Sequence, residues 1–236
     1  MKLKLSLLLI TVLCSSLLTT AQQTKTESGA WYLLVWKLKS PEKAFGLQGD
    51  FQLRLWEVGN DLEQTMARMG CFYQPKGRKE MYTAGYANIQ TETYGTAKNR
   101  FNENRYYIEA LLPQKAGKRF TIKHRLRHEY RFVQNRDFST RYRQAIFLTV
   151  PISSQEMQAQ TIFLSFYNEI FLNERIFGTN RQASFFDQNR LYGAVGYAFT
   201  KQTKLQVGAM QHNTNRWSKH QLQIGINHTF VPTSTP

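Results

Sequence analysis

The chain has 236 residues, with 31 Lys and Arg against 16 Asp and Glu, a formal net charge of +15. Its mean hydropathy is low (−0.48), and no later segment holds 18 consecutive apolar residues, which excludes a helical membrane span. It has only two cysteines, and a disulfide-stapled scaffold is excluded once the first of them lies in a cleaved leader.

The N-terminus carries Lys2 and Lys4, an apolar run from Leu5 to Leu13, and small residues up to Ala21. That layout predicts a secretory signal peptide over 1–21, cut after Ala21. Its apolar core is too short to span a bilayer as a helix. Leu13 before Cys14 argues against a lipoprotein, where a small residue would stand. Losing Lys2 and Lys4 lowers the formal charge to +13. A basic balance of this size first suggests nucleic acid. Export argues against that partner, and so does charge that alternates along strands instead of gathering in a helix or tail. Anionic lipid or acidic solutes fit better.

The rest of the chain, 22–236, reads as one domain built from strands. A first stretch runs from Ala30 to Lys39, with Trp31, Leu33, Val35 and Lys37 on one side and Tyr32, Leu34, Trp36 and Leu38 on the other. In the second, Phe45, Leu47, Phe51, Leu53 and Leu55 share one face, while Gln48, Asp50, Gln52 and Arg54 share the other. The third, about 64–73, sets Arg68 against Met69, Cys71 and Tyr73; the fourth covers about 81–89. The fifth, about 102–112, sets Glu103, Arg105, Tyr107 and Glu109 against Tyr106, Ile108 and Ala110.

The sixth stretch, 119–133, is the clearest. Arg119, Thr121, Lys123, Arg125, Arg127, Glu129 and Arg131 alternate with Phe120, Ile122, His124, Leu126, His128, Tyr130 and Phe132. A strict period of two is an extended strand with two faces. One face is heavily charged and the other mostly apolar, the inverted pattern of a barrel with lipid outside and a polar lumen. Later stretches follow the same rule at about 140–150, 161–172, 188–199, 204–212 and 219–230, with Arg141, Arg143, Glu169 and Arg190 on polar faces. Turn formers fall between them, including Gly-Asn-Asp from 59 and Gln-Asn-Arg-Asp from 134. Two longer polar connections, about 90–101 and 173–187, are expected at the cell-exterior end.

These stretches number about eleven. Single-chain bacterial barrels use even numbers, so the expected fold is an all-β, antiparallel, transmembrane up-and-down β-barrel of about 12 strands, with 10 as the alternative. Its location would be the outer membrane, reached by export. Its partners would be outer-membrane lipids, the barrel-assembly machinery during insertion, and a small anionic solute, with no nucleic acid. Phe230 closing the last amphipathic strand is similar to the C-terminal signal read by that machinery, although a short tail follows it.

The residues also resemble a known family. Gln52-Leu53-Arg54, Glu103-Asn104-Arg105, the run from His124 to Phe132, Arg141-Tyr142-Arg143, Asn168-Glu169 and Phe186-Asp187-Gln188-Asn189-Arg190 are similar to domain of unknown function family 2490. The resemblance covers nearly all of 22–236. It implies a Gram-negative outer-membrane β-barrel and no particular activity.

The polar faces collect Arg54, Arg68, Glu103, Arg105, Glu109, Arg125, Arg127, Glu129, Arg131, Arg141, Arg143, Glu169 and Arg190. An Arg facing lipid at the midplane costs ~2–4 kcal/mol, so a barrel must turn these inward. They then form either a structural plug of arginine forks and carboxylates or an anion-selective lining. Arginines outnumber carboxylates in the set, which points to an anionic ligand. His124 and His128 sit four apart on a strand, ~13 Å, too far to share a metal, and no metal or cofactor is expected. A hydrolase would need a Ser nucleophile beside a His base. Ser218-Lys219-His220 is the nearest substitute, and Ser165 lacks a His on its face, so no catalytic residue is assigned. Aromatics near strand ends, among them Trp31, Trp36, Trp56, Tyr73, Tyr130, Tyr142, Phe199, Trp217 and Phe230, suggest two interfacial girdles.

Overall fold

The computed structural model describes residues 26–40, 42–95, 98–176 and 185–232. The expected signal peptide, 1–21, lies outside the described residues, as does the middle of the 173–187 connection. Strands form because apolar and polar residues alternate singly, so each stretch can present one wet and one dry face only when extended. They are β1 (Thr26–Leu38), β2 (Phe45–Glu57), β3 (Asn60–Tyr73), β4 (Met81–Glu92), β5 (Arg100–Ala116) and β6 (Phe120–Val133). The series continues with β7 (Ser139–Pro151), β8 (Thr161–Ile176), β9 (Phe186–Ala198), β10 (Thr203–Thr214) and β11 (Ser218–Phe230).

Each strand pairs antiparallel with its chain neighbour, and the sheet closes into a barrel. The described residues thus hold eleven strands, one from the expected twelve. An odd number of alternating strands leaves the first and last pointing the same way, so the seam is parallel. It pairs β1 with β11 from Thr26↔Ser218 to Leu38↔Phe230. Closure removes the sheet edges that would otherwise expose unpaired backbone groups. Tight turns use the conformations that their residues allow, such as Gly59 at φ +95° with Asp61 at +54°, and Asn135 at +57°. The topology places the β4–β5 and β8–β9 connections at one end, with the start of β1. That end is called the first end; β1 and β11 finish at the second.

The two faces differ in kind. On β2, Phe45, Leu47, Phe51 and Leu53 are exposed while Asp50, Gln52 and Arg54 are buried. On β4, Tyr82 and Tyr86 are exposed while Met81, Thr83, Ala87 and Ile89 are buried. The outward set continues through Ile108, Leu126, Ile162, Phe166, Leu191, Val195, Val207 and Ile226. Aromatics edge this band at both ends: Tyr86, Tyr106, Tyr130 and Tyr142 toward the first, and Phe45, Tyr73, Tyr82, Phe120, Phe199 and Phe230 toward the second. Phe132 and Phe120 are the outermost exposed aromatics on β6. Their twelve-residue separation, at ~3.3 Å per residue and a ~40° tilt, makes the band ~30 Å tall.

Three expected girdle members lie elsewhere. Trp31 is 4% exposed and faces the lumen, because both faces of β1 are apolar and alternation alone does not choose between them. Trp56 also turns inward, under the Lys219 ammonium at 4.2 Å. Trp217 sits in the β10–β11 turn, edge-on to His212.

Inside, ring and glycine fit each other. Tyr107 lies across Gly70 and Gly85, and a Cβ on Gly85 would come within 2.5 Å of its ring. Phe72, Phe163 and Phe171 are fully buried on the inner wall.

Candidate functional site

All of the expected lumen residues are on the inner wall. Of the thirteen, Arg68, Arg125 and Arg131 keep side-chain exposures of 15–21%, and the others are buried. Glu129, on β6, is 0% exposed and is the hub. Its Oε2 accepts from Arg141 Nε at 3.0 Å and Nη2 at 2.7 Å. Its Oε1 accepts from Arg143 at 2.6 Å and Arg105 at 3.4 Å, with Arg127 at 3.9 Å. Four guanidiniums from β5, β6 and β7 thus share one carboxylate.

Other carboxylates extend the network around the barrel. Glu169 on β8 accepts from Arg125 at 2.6 Å and Arg143 at 2.9 Å. Glu103 accepts from Arg105 and Arg131, each at 2.7 Å, and Glu109 accepts from Arg127 Nε at 2.7 Å. Asp50 accepts from Arg68 Nε at 2.7 Å. Aromatic faces cover the arginines: Arg143 lies 4.3 Å from the Phe171 centroid, Arg127 4.5 Å from Tyr107, and Arg125 4.9 Å from Phe147. Planar guanidinium suits both kinds of partner, a carboxylate along its edge and a ring against its face.

Seven of the nine expected arginines therefore bond a carboxylate. Arg54 and Arg190 do not. Both lie against one indole, Trp31, at 3.8 and 5.1 Å from its centroid. Their hydrogen bonds go to amide oxygens, Arg54 Nη2 to Gln52 at 3.1 Å and Arg190 Nη2 to Gln188 at 3.2 Å. The Nε of each is buried without a partner.

Sequence reasoning missed several members of this wall. Asp50 is on the polar face of its stretch and joins the network through Arg68 without being among the expected members. Asp187 bonds Arg141 at 2.7 Å, and Glu63 bonds the fully buried Lys219 at 2.5 Å. Both sit where the register slips: Arg54↔Gln64 is followed by Leu55↔Leu62, and Phe171↔Gln188 by Leu172↔Phe186. The skipped residues are Glu63 and Asp187. A third slip, Thr140↔Arg175 to Arg141↔Asn173, skips Glu174. All three described bulges thus carry an acid, and a bulge re-aims its extra side chain. A strict period of two cannot reveal such positions.

Toward the second end the wall changes. Lys37, Lys123 and Lys204 occupy inward positions opposite Gln48, Phe147 and Ala198. None has a carboxylate partner among the described residues, and Lys123 is exposed.

The outer face carries a polar contact between β6 and β8. His128 Nε2 lies 2.8 Å from Glu174, and its ring stacks on Tyr142 at 4.5 Å. The Ser218 hydroxyl donates to Asn213 at 2.7 Å, while Ser165 faces inward between Thr149 and Ala194. Among the described residues, no group of three His, Cys, Asp or Glu could hold a metal.

The family model described as protein of unknown function (DUF2490) matches residues 28–223. The chain belongs to this family. The match takes in most of the barrel, from β1 into β11, and so includes every residue of the Arg/Glu network and the Trp31 cluster. No curated protein and no solved structure matches the DUF2490 chain.

Proposed function

We propose that the chain is an outer-membrane β-barrel with a largely filled lumen, structural at rest. It reaches the envelope through a signal peptide over 1–21, which leaves Gln22 as the first residue. One observation carries the reading: around the barrel, exposed apolar residues face out and charged residues are buried within. A soluble protein would do the opposite, because a broad contiguous apolar surface in water invites association. The ~30 Å band between aromatic edges suits a bilayer's hydrocarbon layer. The backbone-bonded closure leaves no open sheet edge to face lipid.

The filled lumen is supported by Glu129, Phe163, Phe171 and Lys219, large inward side chains that are fully buried. An aromatic end to β11 at the second end suits an exterior first end and a periplasmic second end. Passive transport is the second reading, favoured by the unpaired Lys37, Lys123 and Lys204. It would require the Arg/Glu network to open.

Fractionation and planar-bilayer recording test both halves of the proposal. The protein is expected in the detergent-extracted membrane fraction and to give no steady current when folded. Recovery in a detergent-free periplasmic extract would remove the membrane reading. A sustained unitary conductance would remove the plug.

A further inference from the structure

The sequence shows an excess of arginine over carboxylate without saying where it lies. The structure assigns it to one place, Arg54 on β2 and Arg190 on β9, on either side of the seam strands. Arg54 lies 3.8 Å and Arg190 5.1 Å from the Trp31 centroid, which puts their guanidinium carbons at most about 8.9 Å apart; Arg190 also lies against Phe171, 4.6 Å from its centroid. The nearby carboxylates are taken: Glu63 by Lys219 at 2.5 Å, and Glu169 by Arg125 and Arg143. His212, also on this wall, adds no negative charge and is turned to Gln188.

A buried guanidinium that bonds no carboxylate is costly. Here two stand together, each more than nine-tenths buried, each with an Nε lacking any acceptor. They keep only 9% and 6% of their surface accessible, and on inward-facing residues that surface opens to the lumen. We propose that this is a binding site for a small oxyanion, a carboxylate or phosphate group held between Arg54 and Arg190 over Trp31. Two guanidinium edges that each donate at ~2.9 Å to oxygens of one such group set their carbons ~7–9 Å apart, and the upper limit of about 8.9 Å leaves room for most of that range. A forked donor prefers an oxyanion to a spherical halide, because two parallel N–H groups match two oxygens. The inference needs the closed barrel and not its membrane, so loss of the outer-membrane reading would leave it standing.

The test is made on the full-length barrel folded in detergent micelles. Sodium phosphate and sodium acetate are each titrated against sodium chloride at equal ionic strength, and Tm is followed by circular dichroism. Binding to the folded state raises Tm with ligand concentration. A rise of a few degrees, following a single-site binding curve, is expected with at least one oxyanion and not with chloride. Which of the two acts distinguishes a phosphate site from a carboxylate site. Arg54→Gln and Arg190→Gln should each abolish the rise, while Lys201→Gln, in the turn at the other end, should keep it. Titration calorimetry of phosphate and acetate into the unmodified protein serves if the arginine variants fail to fold, with one site per barrel expected. No oxyanion-specific rise together with no heat would overturn the site, as would a rise undiminished in both arginine variants.

Discussion

Glu129→Gln is expected to be the most damaging single substitution in the barrel. The change keeps the shape of the side chain and removes only its charge. It leaves Arg105, Arg141 and Arg143 around a neutral amide at a position with no solvent exposure. Removing one partner of a buried ion pair typically costs ~3–5 kcal/mol. Arg141 retains Asp187, and Arg105 and Arg143 retain Glu103 and Glu169, which keeps the expected loss near that range rather than a multiple of it. Urea unfolding from lipid vesicles should show a lowered midpoint, or no folded species at all. Arg100→Ala supplies the contrast. Arg100 is 74% exposed and pairs with Glu92 at the rim, where an ion pair contributes ~0–1 kcal/mol. Equal effects of the two substitutions would mean that the network is not the dry hub its geometry indicates.

The second large effect is expected one residue along β6 from an arginine already present. Leu126→Arg puts a cation on the outer face, near the middle of the apolar band, whereas Arg127 points inward to Glu109. In a bilayer the outward arginine costs ~2–4 kcal/mol at the midplane and less toward the edges. Thr121→Arg, on the inner wall near the second end of the same strand, should be far milder. Folding yields into vesicles, with urea midpoints, check the difference. If Leu126→Arg were neutral in vesicles, the outer face would not meet lipid.

Much of this fold is written in single-residue alternation. Arg125, Arg127, Glu129 and Arg131 occur at every second position of one stretch, and that parity alone sends all of them inward. The same parity sorts Arg141 from Tyr142 and Glu169 from Ile170. What alternation does not carry is which charge meets which. Arg125 and Glu169 are 44 residues apart, and Lys219 and Glu63 are 156 apart. Those partnerships follow from register and closure, which depend on the whole sheet.

Three other features stayed hidden for specific reasons. Glu63, Glu174 and Asp187 lie at bulges, where one extra residue breaks the parity that located the other charges. Trp31 stands on a strand apolar on both faces, so its inward placement depends on its register with Arg54 and Gln223. The parallel seam has no local signature at all. It follows from the odd number of strands, and parallel ladders are slightly weaker per residue than antiparallel ones. That seam carries Trp31, so the cluster with two arginines that bond no carboxylate is built on the parallel join of the barrel.

A barrel set in a bilayer turns its apolar face to lipid and shields its charged face from it. Two tryptophans on one strand separate these faces: Trp36 is on the outer side of β1, against Gly49, and Trp31 is on the inner side, against Arg54. Single-tryptophan forms retaining one or the other, folded into vesicles of lipids brominated along the acyl chain, report the difference as fluorescence quenching. Trp36 should be strongly quenched and Trp31 scarcely at all. Equal quenching of the two, or none of Trp36, would contradict the barrel's placement in a bilayer.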